Sequence, residues 1–129
     1  MPIAINGSGS ITGISAGGLP DGVITTDDLA STVPVAKAWV NFNGTGTVAI
    51  RASYNVSSIT DNNTGDYTVN FTTAMVDANY VGVGACGDDG HYVSGRGMGF
   101  ASSSGWRIAI KTDGGTYIDQ AGVFVAIFR

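Results

Sequence analysis

His91, the only histidine of the chain, ends the run Asp88-Asp89-Gly90-His91, where two carboxylates lie beside an imidazole. Asp suits hard cations and imidazole suits transition metals, so a metal site is one interpretation of this cluster. The spacing of a calcium-binding loop is missing, however, and no second cluster of ligands completes a coordination shell. Asp and Gly also concentrate in turns. We therefore favour a solvated turn, with no bound metal and no cofactor.

Cys86 and the serines are the nucleophile candidates, and each would need a neighbouring base. His91 supplies the only imidazole, five residues after Cys86. Cys86 continues an apolar strand pattern, and free cysteines are among the most buried residue types, so an unreactive buried thiol is favoured. A glycosidase needs two facing carboxylates, but all 10 acidic residues are Asp and no spacing selects a pair. The sequence therefore predicts no catalytic residues.

Two loop-rich stretches, Gly87 to Gly105 and Asp113 to Tyr117, carry side chains suited to recognition. Within the first, Gly95-Arg96-Gly97-Met98-Gly99 lacks the Lys-Ser/Thr of a phosphate-binding loop, and no strand–helix unit surrounds it. Loops on a rigid scaffold commonly carry binding surfaces, and tyrosine rings can stack on a sugar or anchor a partner. We expect these loops to make any contact with an external ligand through four side chains: His91, Tyr92, Arg96 and Tyr117.

Length and composition limit the elements that hold these loops. A chain of 129 residues is short for two domains, and its 20 Gly, many β-branched residues and lack of Glu argue against a helical fold. The 6 Lys and Arg residues lie far apart, so nucleic acid is not an expected partner. No apolar run approaches the roughly 20 residues of a membrane helix, and no membrane insertion is expected. Only 12% of the residues are charged, which favours burial of surface between subunits.

Residues 1–34 differ from the rest of the chain, because their small apolar residues are separated by Gly and Ser and they include no aromatic or basic side chain. Such a segment cannot bury a core alone, and we interpret it as an extended arm that lies against another surface. Leu19-Pro20-Asp21-Gly22 is typical of a turn, and Thr25 to Ala30 fits one capped helical turn. The first residues do not resemble a signal peptide, so synthesis in a cytoplasm is expected.

From Val35 onward, apolar and polar residues alternate with a period of two, which is typical of half-buried β-strands. The pattern predicts about seven or eight strands over residues 35–129, separated by polar turns. These turns are expected at Asn43 to Gly46, Asp61 to Asp66 and Asp113 to Gly115. We therefore predict an all-β fold, with a β-sandwich or jelly-roll-like head domain behind an extended N-terminal arm.

The last strand has apolar residues on both faces. Phe124 and Phe128 lie opposite Val123, Val125 and Ile127. A strand of this kind is expected to be buried on both sides, which predicts a central strand or a subunit interface. One of the two rows is then expected to pack between subunits.

The sequence pattern also predicts the exposure of Trp39 and close packing at Gly82 and Gly84. Trp39 alternates with polar neighbours, so its side chain is expected to be exposed or covered only by another subunit. Gly82 and Gly84 alternate with valines in a strand pattern, which indicates close approach of another backbone or a bulge.

Two blocks of sequence carry a family resemblance. The first is Met1-Pro2-Ile3-Ala4-Ile5-Asn6-Gly7-Ser8-Gly9-Ser10-Ile11-Thr12-Gly13-Ile14 with the turn Leu19-Pro20-Asp21-Gly22. The second runs from Ala38-Trp39-Val40-Asn41-Phe42-Asn43-Gly44 through Arg51 to Asn62 and then from Asp66 to Phe71. Together they resemble the short tail-fibre and related virion proteins of marine and freshwater bacteriophages, cyanophages among them. The resemblance fades beyond Tyr80, where a receptor-binding region is expected to vary.

The resemblance implies a non-enzymatic structural protein of a virion, made in the cytoplasm of a bacterial host. It implies a homotrimeric tail-fibre or fibre-like subunit, in which residues 1–34 dock on other virion proteins and residues 35–129 form an outward head. A host cell-surface glycan is the partner that such a head would contact. Two alternatives stay open: a capsid decoration or head-fibre protein, and a small tail-associated carbohydrate-active enzyme.

Overall fold

The computed structural model describes residues 34–87 and 101–129, and these two ranges form seven β-strands and no helix. In chain order the strands are β1 (Ala36–Asn43), β2 (Ala49–Tyr54), β3 (Val56–Asn63), β4 (Asp66–Phe71), β5 (Val81–Gly87), β6 (Gly105–Ala109) and β7 (Gly122–Phe128). The all-β prediction is confirmed. The predicted arm over residues 1–34, with its turn and its helical turn, falls outside the described residues except for Pro34 and stays a prediction.

The strands form two antiparallel sheets that share one hydrophobic core. Four strands pair in the order β2-β1-β7-β5, and three pair in the order β3-β4-β6. The alternation seen in the sequence is the cause, since every second side chain of β1, β4 and β7 is buried. The fold is therefore sandwich-like, as predicted. Its largest fully buried side chains are Tyr67, Phe42, Ile110, Ile127, Val40, Val69 and Val123.

The polar stretch before Thr64 is strand rather than turn. β3 continues to Asn63 and only Thr64-Gly65 turns, so the turn predicted over Asp61 to Asp66 is too long. Exposed side chains hydrogen-bond across the strands here, and Asn62 Nδ2 donates to Thr68 Oγ1 at 2.9 Å. Cross-strand pairs of this kind allow polar residues on the solvent face to stay in a strand.

Gly82 on β5 has the close neighbour that its position predicts. A Cβ atom at Gly82 would lie only 2.6 Å from Cε2 of Trp106. Trp106 belongs to β6 in the other sheet, so this contact joins the two sheets. At Gly82 the nearest neighbour is therefore an indole ring instead of a second backbone, and β5 pairs with β7 without the bulge that was the alternative.

Tyr67 on β4 is fully buried, and its hydroxyl connects three segments at one end of the sandwich. The phenol oxygen lies 2.7 Å from the carbonyl of Gly44, which follows β1, and 2.6 Å from Oδ1 of Asp119, which precedes β7. A phenol has one proton, so it donates to one of these acceptors at a time. Burial, and then Asp119, raise the pKa of Tyr67 above its ordinary value and keep that proton in place.

The last strand is central in its sheet but exposed on one face. β7 lies between β1 and β5, which confirms the prediction of a central strand. Val123, Val125 and Ile127 face the core, and Phe124 and Phe128 lie on the opposite side. Phe124 is nevertheless 42% exposed. Burial on both sides is thus wrong for the single chain, and any cover for this face must come from elsewhere.

We predict that Tyr67→Phe lowers the free energy of unfolding by about 1–3 kcal/mol, because it leaves buried acceptors without their donor. Urea unfolding followed by circular dichroism measures this change. Tyr54→Phe is the matched control, since Tyr54 is exposed and its hydroxyl has no hydrogen-bond partner among the described residues. Equal stability of the two variants would contradict the role assigned to the Tyr67 hydroxyl.

Candidate functional site

Of the four predicted recognition residues, only Tyr117 lies in the described part of the chain. His91, Tyr92 and Arg96 fall outside it, together with the Asp88-Asp89-Gly90-His91 cluster. The roles predicted for these residues stay predictions. The site is therefore built from Tyr117 and from what the fold brings next to it.

Tyr117 lies in a short hairpin-like loop between β6 and β7. Lys111 and Tyr117 form an antiparallel bridge, and the amide of Thr112 donates to the carbonyl of Thr116 at 2.8 Å. The turn predicted at Asp113 to Gly115 is present at the tip of this loop. These contacts pair the two arms of the loop, so Tyr117 lies in an ordered arm and not at the tip of the loop.

Gly65, in the turn between β3 and β4, brings that turn against the Tyr117 loop. Its carbonyl accepts from the amide of Ile110 at 2.7 Å, and its amide donates to Oδ1 of Asp119 at 2.6 Å. Its φ is +63°, and a Cβ atom there would lie 2.6 Å from both the Ile110 oxygen and the Ile118 nitrogen. Only glycine combines this backbone conformation with so close an approach.

A surface pocket of about 290 Å³ lies where this turn meets the loop, and we call it the Tyr117 pocket. Its walls are formed by Asn63, Thr64, Asp66 and Tyr117. In the sequence, Asn63, Thr64 and Asp66 were predicted only as part of a turn. They lie about 50 positions from Tyr117, and the pairing of β4 with β6, which the sequence does not reveal, is what brings them together.

The ring of Tyr117 is held by a cation on one of its faces. The ammonium nitrogen of Lys111 lies 4.0 Å from the ring centre, within the range of a cation–π contact. Lys111 does not line the pocket, whereas Tyr117 does. The lysine therefore supports the ring while leaving part of it accessible, and Tyr117 is 38% exposed.

Asp66 gives the pocket a carboxylate whose charge is balanced. Arg107 Nε donates to Asp66 Oδ1 at 2.7 Å, and a second guanidinium nitrogen of Arg107 donates to the other carboxylate oxygen. Asn62 Nδ2 also donates to Asp66 Oδ1, at 3.3 Å. The hydrogen bond from Arg107 is the main reason that the pKa of Asp66 lies below its ordinary value, although burial opposes it. Asp66 is therefore ionised at neutral pH, and Arg107 offsets its charge.

The other polar groups around the pocket are available for hydrogen bonding. Asn63 uses its side-chain oxygen to accept from the Thr64 amide at 2.9 Å. Among the described residues, three further groups have no hydrogen-bond partner: the Asn63 side-chain nitrogen, the Thr64 hydroxyl and the Tyr117 hydroxyl. The Tyr117 pocket thus combines an aromatic ring with hydrogen-bond donors and acceptors, a combination that is suited to binding a polar ligand.

A second feature is the side of the four-stranded sheet that faces away from the core, which we call the outer face. The strand register places side chains in rows across this face. One row crosses all four strands through Tyr54, Trp39, Ala126 and Val83. The next row consists of Ala52, Asn41, Phe124 and Ala85. Asn41 is the only polar residue in these two rows.

The outer face leaves large apolar groups in water. Tyr54 is 49% exposed, Trp39 is 41% exposed and Val83 is 50% exposed. The expectation that Trp39 is not covered by its own chain is confirmed. Contiguous exposed apolar surface is uncommon on soluble monomers and marks interaction sites. The outer face therefore has the character of an interface.

The described residues do not bring a metal-ligating cluster together. No three His, Cys, Asp or Glu side chains within residues 34–87 and 101–129 lie close enough to share an ion. Cys86 is half-buried and packs against the core, whereas full burial was expected. In the same ranges no helix has the length and apolar character to span a membrane.

Comparisons with known proteins return no match to a protein-family model, a curated protein or a solved structure. The resemblance to tail-fibre and related virion proteins rests on the sequence blocks quoted above and stays a prediction.

We predict that Asp66→Asn lowers the melting temperature at pH 7 by a few degrees, because Arg107 loses its charged acceptor. The pKa of Asp66 is lowered by folding, so its stabilising effect is complete above about pH 4 and is lost as the pH falls through the folded-state pKa. The difference between parent and variant should therefore shrink on acidification.

Thermal melts of both proteins between pH 7 and pH 2 measure this difference. Asp113→Asn provides the control, since Asp113 is exposed in a turn and has no ion pair among the described residues. A gap between parent and Asp66→Asn that stays constant down to pH 2 would contradict the assignment.

Proposed function

We propose that this chain is a structural subunit of a bacteriophage particle: a non-enzymatic tail-fibre or fibre-like protein that assembles as a homotrimer and contacts the host surface. Residues 1–34 attach it to other virion proteins in this proposal, and residues 35–129 form the outward head. The protein is then made in the cytoplasm of the bacterial host and located in the virion.

The observation that carries the proposal is the apolar outer face. The exposed ring of Phe124 lies in the middle of that face, on the central strand β7, with Ala85 and Asn41 as its lateral neighbours. Neither row of the face contains a charged residue. The side chain of Arg51 reaches this face, where its Nη1 donates to Asn41 Oδ1 at 3.4 Å. Burial of such a surface between copies removes mainly apolar area from water, which is the usual composition of an obligate interface.

The placement of the resembling sequence supports the same proposal. The second block, from Ala38 to Phe71, forms strands β1 to β4 and the turns between them. These strands belong to both sheets, and β1 and β2 contribute side chains to the outer face. The block is therefore part of the structural framework, as expected for a structural protein and not for a catalytic motif. Trp39 and Tyr54, two of the exposed aromatic residues, both lie within it.

We predict that the full-length protein has three times the 13.1 kDa mass of one chain in solution, and that Phe124→Asp reduces this mass to that of a monomer. A carboxylate in the centre of the interface would have to be buried without a partner, which is strongly unfavourable. Size-exclusion chromatography with light scattering at micromolar concentration measures the mass.

Val76→Asp is the matched control for this experiment. Val76 is 83% exposed in the loop between β4 and β5 and belongs to neither row of the outer face, and the change in charge is the same. The control should stay trimeric, and both variants should keep β-type circular dichroism. A monomeric parent, or a trimeric Phe124→Asp variant, would overturn the assembly.

The virion role is tested by immunogold labelling of intact phage particles with an antibody against this chain. Label on the tail supports the fibre. Label over the head would replace it with capsid decoration, and particles without label would reject a virion role.

A further inference from the structure

We infer that the Tyr117 pocket is a saccharide-binding site that takes one neutral sugar unit of a glycan. The inference uses the proposed host contact for its biological setting, but its physical basis is the pocket itself. That basis has three parts: the ring, the hydrogen-bonding groups and the balance of charge.

The ring provides the platform. An aromatic face is electron-rich, and the C–H groups on one side of a pyranose ring carry a small positive charge, so the two stack favourably. Tyr117 is restrained by its bridge to Lys111 and by the ammonium group over the ring. The bridge therefore fixes the backbone that carries the ring before a ligand binds.

The hydrogen-bonding groups match a polyol. The Asn63 side-chain nitrogen donates, and the hydroxyls of Thr64 and Tyr117 can each donate or accept. Sugar hydroxyls also act in both ways, so a ring stacked on Tyr117 can pair with groups on the β3–β4 turn. The volume of about 290 Å³ is near the lower limit of small-molecule sites, which suits a single sugar ring with its neighbours in the chain outside the pocket.

The balance of charge selects a neutral ligand. A carboxylate on the sugar would have to compete with Asp66 for Arg107, and an amine would have to compete with Arg107 for Asp66. Since Asp66 and Arg107 already neutralise each other, an uncharged ligand leaves that pair intact. We therefore place neutral hexoses above uronic acids and amino sugars with a free amine.

Saturation-transfer NMR with the full-length protein tests the inference, with the methyl glycosides of glucose, galactose and mannose as probes and glucuronate as the charged comparison. At least one neutral glycoside should bind with millimolar affinity, and glucuronate should bind more weakly. No binding of the three glycosides, or tighter binding of glucuronate, would overturn the inference.

Variants locate the site. Tyr117→Ala should weaken binding about tenfold, which corresponds to the loss of one good contact, and Tyr117→Phe should weaken it less because the ring is kept. Thr64→Val should weaken binding, whereas Thr72→Val, at an exposed threonine outside the pocket, should have no effect. Unchanged binding by Tyr117→Ala would place the sugar elsewhere.

The outcome separates this inference from the proposed function. A protein that binds sugar in the pocket but is monomeric or missing from particles contradicts only the virion role. A trimeric virion protein whose pocket binds none of the glycosides contradicts only the saccharide site.

Discussion

The buried hydroxyl of Tyr67 is the constraint on which the arrangement of this molecule depends. It lies between the segment that leaves β1 and the segment that enters β7, although Tyr67 itself belongs to the other sheet. The ring of Tyr67 also packs edge-on against Phe42, with ring centres 5.3 Å apart. One side chain thus fixes the distance between the sheets by packing and fixes the loops at their end by hydrogen bonding. A core of aliphatic residues alone would supply the packing without the fixed loops.

The same network positions the surface site. Asp119 accepts from both the Tyr67 hydroxyl and the Gly65 amide, so the buried phenol and the β3–β4 turn share one carboxylate. Gly65 then receives the Ile110 amide at the base of the Tyr117 loop. A continuous chain of hydrogen bonds therefore leads from the core to the wall of the pocket. A binding site built in this way is pre-organised, because its turn and its loop are fixed before a ligand arrives.

The sequence was sufficient for what depends on local pattern and insufficient for what depends on pairing between distant strands. Alternation identified the strands, the exposure of Trp39 and the two faces of the last strand. It could not show that β4 pairs with β6, and so it separated Asp66 from Arg107 and Thr64 from Tyr117. Polar residues near Asn62 were assigned to a turn for a related reason, since their partners lie on the next strand. Register is a long-range property that composition and period leave open.

The two tryptophans occupy positions that separate folding from assembly. Trp106 is partly buried and packs its indole onto Gly82 and the core, so its surroundings change when the two sheets separate on unfolding. Trp39 stands on the outer face with 41% of its surface exposed, where a second chain would cover it without any change inside the domain. Intrinsic fluorescence therefore contains two independent signals in one molecule. The emission of Trp106 reports folding of the domain, and the emission of Trp39 reports association of the chains. The order of folding and association can therefore be measured without any added label.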